Sequence, residues 1–564
     1  MVVATYFLCN SCAKQSTPSG GPKDTIPPSL VHSVPDKKQL NYKKKNIEMT
    51  FSEDIALNNA REQVIITPTV NKEFKVTAVK KTVAIQFEKD LLDSTTYTIN
   101  MRDAVQDITE KNPAKNLQLA FSTGPYIDSL IISGKVSDIL RDTPTKDATV
   151  GLYRYSDTIN LFKQKPVYIA KTNDKGAFKI ENLKVGKYFM YAFDDKNKNL
   201  IVDSKNESYG FSPAPMVLDS NVSELNLTIQ RLDARPLKLT SARPYNNYFN
   251  IRMSKSLTGF EVSSDSAKFI SCFGEDKSNV RVYNTLTNQD SIQTNFKAID
   301  SIGNKIDTTL FIKFNKKKSQ PEKFTMQVTD PKIYATTGSL QITITFNKPI
   351  ATIDFDSLFY QPDSTALFRI TDKETTWDFS TNVLTIKKII DPKFFIKQEP
   401  QDAATPITPA PPISHPPSEK DSKAKPKKVI NNQLTIGTAT FISIDADSSK
   451  KFTQSPSILR EEETGVILTE VETEQTNFIV QLLSKDFKIL ESEKNSKSIK
   501  FNNLPPASYL IRVVLDKNAN GQWDPGNFFS REAPEQIVFY KNEKGEELIN
   551  LKANWEIGPL LITF

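Results

Sequence analysis

The chain has 564 residues, a length that predicts four or five domains of about 100–150 residues each. Its 73 Lys and Arg and 66 Asp and Glu leave a formal net charge of +7, with both signs interspersed, which argues against a basic track for nucleic acid. Two histidines in the whole chain argue against histidine-based triads, histidine-ligated zinc and haem, and the lack of a glycine-rich phosphate loop argues against nucleotide binding. Composition therefore points away from an enzyme.

The amino terminus combines a short apolar run with a cysteine and a polar tether. Residues 1–8 form the apolar run, Asn10 and Ser11 precede Cys12, and the sequence becomes polar directly afterwards. This order resembles the signal of bacterial lipoproteins, in which signal peptidase cuts before the cysteine and the cysteine is then acylated. The resemblance implies that residues 1–26 are a signal and tether, that Cys12 is the lipidated residue, and that Cys9 leaves with the leader. The alternative is an ordinary cytosolic terminus.

The rest of the chain offers no other membrane anchor and no disulfide framework. No stretch reaches the roughly 18 apolar residues that a spanning helix needs, so membrane contact is predicted to depend on the lipid at Cys12. Three cysteines are too few for a disulfide scaffold. The third one, Cys272, lies in an apolar stretch and is predicted to be a small buried side chain.

Short runs with apolar residues at every second position recur along the chain, whereas helical periodicity is scarce. Such alternation places one face of a strand in a core and the other face in water. Many short strands without intervening helices predict an all-β chain built of antiparallel sandwiches. Clear examples are 47–51, 83–87, 97–101, 119–122, 340–346 and 478–482.

The segment 27–125 opens with Pro27-Pro28 and contains the runs Ile47–Ile55 and Leu119–Gly124. Together these features resemble a bacterial Ig-like domain of the type found in S-layer proteins. The resemblance implies a role in display or spacing and no catalytic residues. The run Ile342–Ala351 aligns with Ile47–Ala56 at an offset of 295, which predicts a second Ig-like domain at 323–450.

A second internal repeat has an offset of 321 residues. Phe178–Leu183 matches Ile499–Leu504, and the match continues without a gap through the tyrosine and the Asp/Asn positions that follow. The segments 126–232 and 451–564 are therefore predicted to be two copies of one module. The Asn-Leu-x-x-Gly-x-Tyr pattern that starts at Asn182 resembles the prealbumin-like, carboxypeptidase-regulatory type of sandwich, and the loop after it resembles a small secreted β-domain family common in Bacteroidetes.

Two further segments complete the domain organisation. Residues 233–322 are predicted to form a divergent β-sandwich. Residues 398–428 contain eight prolines with Lys, Ser and Asp between them, a composition that predicts a disordered insertion within the second Ig-like domain. Both histidines, His32 and His415, fall in segments predicted to be connectors.

One repeated motif has the spacing of a metal site. Aspartate, asparagine and glutamine alternate along 516–524 with Gly521 at the sixth position, as in the first part of an EF-hand calcium loop. The motif predicts weak calcium binding, on the order of 10⁻⁴–10⁻³ M, and no other cofactor. The alternative is a metal-free hairpin in which these side chains cap their own backbone. The candidate ligands are Asp516, Asn518, Asn520, Gln522 and Asp524 in one copy, and Asp195, Asn197, Asn199 and Asp203 in the other.

The preferred hypothesis is a non-enzymatic, lipid-anchored envelope protein of a Bacteroidetes-type bacterium, with its β-modules acting as a scaffold or binding surface at the outer membrane. Its partners would be outer-membrane lipid, through Cys12, and an envelope protein, with no nucleic acid or nucleotide. The tether lacks the early acidic residues common in surface-exported lipoproteins, so the cell surface is only slightly favoured over the periplasmic face.

Two alternatives stay open. One is an accessory lipoprotein subunit of an outer-membrane β-barrel transport or insertion complex, since exposed strand edges suit strand addition. The other is a surface glycan-binding protein, which needs an aromatic platform or paired carboxylates in a cleft, and the sequence shows neither of these features.

Overall fold

The computed structural model describes residues 24–70, 74–245, 247–283, 291–314, 322–395 and 432–564. The predicted lipoprotein signal with Cys9 and Cys12, and the predicted proline-rich insertion with His415, lie outside these residues. Strands hold 50% of the residues and helices 3%, which confirms the all-β prediction. The chain divides into two compact units at the Arg231–Leu232 junction.

The first sandwich lies in the first unit and packs a sheet of order β1-β2-β6-β5 against a sheet of order β4-β7-β9, with β3 and β8 as a separate pair. Its core is fully buried at Ile47, Ile85 and Phe121. A single helical turn, α1 (Ala60–Gln63), precedes β4. The strands are β1 (Leu30–Val34), β2 (Asn46–Phe51), β3 (Ile55–Leu57), β4 (Ile65–Thr67), β5 (Phe74–Val79), β6 (Thr82–Phe87), β7 (Thr96–Asn100), β8 (Val105–Asp107) and β9 (Gln118–Ser122).

One prediction about the histidines is wrong. His32 lies within β1 and pairs with Thr50 of β2, so it belongs to a folded sandwich and not to a connector. Its side chain is exposed, because this edge strand turns only Ser33 towards the interior. Leu30, Val31 and Val34 of this strand are exposed. Its apolar residues therefore do not follow the alternation that marks a half-buried strand.

The second sandwich completes the first unit. A three-stranded sheet of order β13-β10-β17 packs on a sheet of order β12-β11-β14-β15, and β16 also pairs with β14. Its first and last strands, β10 and β17, run parallel to each other. The strands are β10 (Leu130–Asp138), β11 (Thr149–Arg154), β12 (Tyr168–Lys171), β13 (Ala177–Leu183), β14 (Gly186–Phe193), β15 (Tyr209–Phe211), β16 (Met216–Leu218) and β17 (Val222–Ile229).

The third sandwich begins the second unit and combines sheets of order β18-β19-β22-β21 and β20-β23-β24. Cys272 on β21 is fully buried, as predicted, and burial raises the pKa of its thiol. Lys255 and Asp300 form a buried ion pair at 2.5 Å. The strands are β18 (Leu239–Tyr245), β19 (Tyr248–Met253), β20 (Leu257–Ser263), β21 (Ile270–Phe273), β22 (Asn279–Tyr283), β23 (Ile292–Asp300) and β24 (Lys305–Ile312).

The fourth sandwich repeats the pairings of the first. The order β30-β31-β26-β25 corresponds to β5-β6-β2-β1, and β28-β32-β34 corresponds to β4-β7-β9, with β29 and β35 as additional edge strands. The strands are β25 (Met326–Tyr334), β26 (Ser339–Phe346), β27 (Ile350–Ile353), β28 (Leu358–Gln361), β29 (Phe368–Arg369), β30 (Thr375–Asp378), β31 (Val383–Ile389), β32 (Gln433–Ile436), β33 (Phe441–Ser443), β34 (Phe452–Gln454) and β35 (Ser457–Leu459). Short 3₁₀ turns cover Phe355–Ser357, Asp372–Glu374 and Pro392–Phe394.

The fifth sandwich has the strand order of the second, β39-β36-β43 against β38-β37-β40-β41, with β42 also on β40 and with β36 parallel to β43. A 3₁₀ turn covers Glu461–Glu463. The strands are β36 (Gly465–Glu472), β37 (Phe478–Ser484), β38 (Ile489–Lys494), β39 (Ser498–Leu504), β40 (Ala507–Leu515), β41 (Ile537–Phe539), β42 (Ile549–Leu551) and β43 (Glu556–Thr563). In the described part of the chain, no helix has the length and apolar character needed to cross a bilayer.

The alternation within β26 generates a stability prediction. Ile344 is fully buried in the fourth core, whereas Thr345 beside it is exposed. Ile344→Ala leaves a cavity and is expected to lower the free energy of opening of this sandwich by about 2–5 kcal/mol. Hydrogen exchange of peptides that cover β26 and β31 measures this loss. Thr345→Ala is the matched control, and equal effects of the two substitutions would contradict the assignment of the buried face.

Candidate functional site

The Asp/Asn motif of the fifth sandwich lies in the loop from β40 to β41. Asp516 follows the last residue of β40 and is only 5% exposed. Its Oδ1 accepts a hydrogen bond from the Asn520 N–H at 3.0 Å, and its Oδ2 accepts one from the Gly521 N–H at 2.7 Å. Gly521 has φ +77°, the left-handed conformation that glycine adopts without strain. The Asp516 carboxylate therefore holds the turn closed.

Asp524 receives the side chains of the two asparagines. Its Oδ2 accepts hydrogen bonds from Asn518 Nδ2 at 2.5 Å and from Asn520 Nδ2 at 2.9 Å. The Oδ1 atoms of both asparagines accept backbone N–H groups further along the loop. Gln522 contributes only its backbone N–H, and its side chain is exposed. Three of the five predicted ligands of this copy thus meet at one carboxylate oxygen.

Glu535 is a member of this cluster that the sequence motif did not include. Its side chain is 4% exposed, with Oε1 accepting the Lys517 N–H at 2.7 Å and Oε2 accepting the Asp524 N–H at 3.0 Å. The indole of Trp523 donates to the Glu535 carbonyl oxygen at 2.9 Å. Burial raises the pKa of the Glu535 carboxyl, and the nearby charges of Asp524 and Asp516 raise it further against the lowering effect of the backbone donors. Glu535, near the end of the loop, therefore binds the backbone of Lys517 near its start and of Asp524 near its centre.

The second sandwich builds the same kind of loop between β14 and β15. Asp195 accepts the N–H groups of Asn199 and Leu200 at 3.0 and 3.2 Å. Glu207 is 1% exposed and accepts the N–H of Asp203 at 2.8 Å, together with those of the two residues after Asp195. Leu200 adopts φ +62° where the other copy has glycine.

The ligands predicted in this first copy are less closely grouped. Asp203 Oδ2 accepts a hydrogen bond from Asn206 Nδ2 at 2.8 Å, in place of the two asparagine amides that reach Asp524 in the other copy. The Oδ1 atoms of Asn197 and Asn199 accept backbone N–H groups two residues further along the loop. The loop is therefore held mainly by its own backbone donors.

The sequence repeat does not include Glu207 and Glu535, because the loops of the two copies differ in length. Glu207 and Glu535 are 328 residues apart, against the 321 of the preceding motif, so the second loop is seven residues longer. A gap-free alignment cannot match them. Their position could have revealed the correspondence, since each glutamate lies two residues before the strand that follows its loop.

A calcium ion requires several carboxylate, amide or carbonyl oxygens directed at one point. Both oxygens of Asp516 hold backbone N–H groups, and two amide NH₂ groups occupy Oδ2 of Asp524. Within the described ranges, no three or more His, Cys, Asp or Glu side chains are grouped as a metal centre. These contacts are those of the metal-free hairpin in which the side chains cap their own backbone. Calcium binding stays a prediction.

Comparisons with known proteins concern the fold. The family model of the bacterial Ig-like domain matches residues 24–123, close to the predicted segment 27–125. No curated protein matches the chain.

Solved structures with similarity to the chain are remote. They include BcpA, the major pilin subunit of Bacillus cereus, at 9% identity and TM-score 0.13 over 77% of this chain and 99% of that one. Domains 1–6 of the surface-layer protein SbsC match at 10% identity and TM-score 0.14 over 93% and 68%. The human desmocollin-1 ectodomain matches at 8% identity and TM-score 0.12 over 77% and 80%.

The hydrogen bonds of Asp516 predict its contribution to the loop. Asp516→Ala leaves the N–H of Gly521 without its acceptor and the N–H of Asn520 with Asn518 Oδ1 alone, at an expected cost of about 1–3 kcal/mol. The fluorescence of Trp523, which hydrogen-bonds within the loop, and hydrogen exchange at 515–524 report the change in the presence of a chelator. Gln522→Ala is the matched control because its side chain is exposed. A loop unaffected by Asp516→Ala would contradict the role assigned to this carboxylate.

The calcium prediction is tested separately on the full chain. It expects heat on calorimetric titration with calcium at about 10⁻⁴–10⁻³ M, and Asp516→Ala and Asp524→Ala should each abolish it. Titration with magnesium provides the control, because its smaller ion demands a tighter octahedral site. If the unmodified chain releases no heat, the prediction is wrong and the hydrogen bonds alone maintain the loop.

Proposed function

We propose that the chain is a non-enzymatic, lipid-anchored protein of the bacterial cell envelope, and that its β-sandwich modules serve as a scaffold and binding surface at the outer membrane. The tandem array is the observation that carries the proposal. Five sandwiches each enclose their own apolar core, and two pairings of strands recur along the chain. Repetition of small, separately packed modules suits display and spacing.

The junction within the first unit supports a spacing role. Thr69 of the first sandwich donates its N–H to the carbonyl of Val167 at 2.7 Å, and Asn182 donates to Thr98 Oγ1 at 2.9 Å. An ion pair between Arg102 and Asp147 adds a contact at 2.7 Å. Hydrogen bonds between neighbouring modules restrict bending at the junction, as a spacer requires.

The modules of the second unit are also joined by direct hydrogen bonds. The N–H of Phe273 donates to the carbonyl of Ser380 at 2.7 Å, between the third and fourth sandwiches. Asn527 Nδ2 of the fifth sandwich donates to the carbonyl of Ile302 in the third at 2.9 Å. These contacts support a fixed arrangement of three sandwiches that presents one continuous surface to a partner in the envelope.

Composition and the family match support a non-enzymatic role at the cell surface. The chain has two histidines, one of them exposed on β1, and the bacterial Ig-like match covers 24–123. The lipid anchor and the outer membrane rest on the lipoprotein-like order of residues around Cys12. We also propose that the binding surface of the modules contacts another protein of the envelope.

The anchor is tested by metabolic labelling with a fatty-acid analogue. Labelling of the full chain is expected to disappear in Cys12→Ala, because the thiol at position 12 would carry the lipid. Cys9→Ala is the matched control and should keep the label, since Cys9 would leave with the leader. Equal labelling of the unmodified chain and Cys12→Ala would refute the anchor.

A further inference from the structure

An open cleft of about 400 Å³ lies where the fourth and fifth sandwiches meet within the second unit. Its volume falls in the range of about 300–1,000 Å³ that small-ligand sites occupy. One wall comes from the turn between β25 and β26, which includes Thr336, and the other walls come from the fifth sandwich and the 3₁₀ turn before it. The Thr336 hydroxyl donates a hydrogen bond across the junction to Asn503 Oδ1 at 3.3 Å. The cleft is thus built by two modules held together.

Trp555 supplies an aromatic surface to the cleft. Its side chain is 49% exposed although indole is among the side chains that gain most from burial. Its backbone is fixed, because the carbonyl of Trp555 accepts the N–H of Val466 at 2.8 Å. The ammonium of Lys552 lies over the ring, 4.8 Å from its centroid, and does not line the cleft. The ring is therefore positioned, and part of it is open to a ligand.

Polar groups next to the ring are available for hydrogen bonds. The Asn554 side-chain amide and the Glu461 carboxylate line the cleft and have no hydrogen-bond partner among the described residues. The Asn554 backbone is held by its N–H, which donates to the Thr464 carbonyl at 2.7 Å. Lys500, the only cation of the lining, lies 3.6 Å from the Glu556 carboxylate. The cleft offers donors and acceptors without an excess of positive charge.

The internal repeat shows that the fold does not require tryptophan at this place. Leu130 faces Leu183 across β10 and β13, as Gly465 faces Leu504 across β36 and β39. Two residues further on, Ile132 pairs with Val222 and Ile467 pairs with Ile557. Counting back two residues from Val222 and Ile557 makes Ser220 the counterpart of Trp555. Counting back three residues makes Asp219 the counterpart of Asn554. The aromatic ring is therefore particular to the copy that borders the cleft.

We propose that this cleft binds a carbohydrate, namely one or two pyranose units of a neutral glycan. A pyranose ring has an apolar C–H face, which packs on an exposed indole, and a rim of hydroxyl groups that each donate and accept hydrogen bonds. Unpaired amide and carboxylate groups beside an aromatic ring match that combination. A phosphate or other anion would meet two carboxylates and a lysine that is already paired. The inference goes beyond the scaffold role and does not depend on the lipid anchor.

The test is calorimetric titration of the full chain with five neutral oligosaccharides, namely cellopentaose, maltopentaose, mannopentaose, galactopentaose and chitopentaose. At least one should bind, and Trp555→Ser should weaken that binding roughly tenfold, a factor that corresponds to about 1.4 kcal/mol. Trp555→Ser introduces the residue that the second sandwich carries at this place, so the variant is expected to fold, which thermal unfolding checks. Asn554→Ala should weaken binding of the same sugar, because it removes an unpaired amide from the cleft.

Phe379→Ala is the matched control. Phe379 is another exposed aromatic residue of the second unit, 73% exposed and stacked on Trp377, and it lies outside this cleft. It should leave the binding constant unchanged. The proposal is overturned if none of the five oligosaccharides binds. It is equally overturned if Phe379→Ala abolishes binding while Trp555→Ser retains it, since the sugar would then lie on the Trp377–Phe379 pair.

Discussion

Successive side chains of a β-strand point to opposite faces, and this two-residue period determines how the whole chain packs. A sheet with one apolar face must cover that face with another sheet, and helices are too few in the described residues to do so. Each sandwich of roughly 100 residues can bury only a modest core. The chain therefore closes one core after another, and the separate clusters around Ile85, Ile180, Ile251, Ile344 and Val480 are the result.

The sheets pair the backbone groups of the strands, but the N–H groups of long loops need acceptors within the loops themselves. In the β14–β15 and β40–β41 loops, buried carboxylates do this in place of a neighbouring strand. Glu207 and Glu535 each accept N–H groups from distant points of their own loop, as Asp195 and Asp516 do at its start. A carboxylate with two oxygens can satisfy several donors that a turn leaves unpaired. The polar motif is thus part of the architecture whether or not it also binds a cation.

The sequence predicted the features that depend on local periodicity. The alternating runs at 83–87 and 340–346 became β6 and β26, and Cys272 proved to be buried. Features that depend on distant contacts were not accessible in this way. Glu535 contacts the start of its loop only because the chain folds back after a longer connection. Trp555 shares a cleft with Thr336 only because the fourth and fifth sandwiches meet there. The edge strand β1 buries Ser33 and exposes its apolar residues, so it gave no apolar alternation to detect.

The parallel pairing of first and last strands in the second and fifth sandwiches has a mechanical consequence. β10 runs alongside β17, and β36 alongside β43, so the chain enters each module at one end of the paired strands and leaves at the other. A force that pulls on the two ends of such a module acts along these strands. It loads the row of backbone hydrogen bonds between them simultaneously, in shear, instead of opening them one at a time from an end. Modules joined in this way resist stretching through the geometry of their terminal strands.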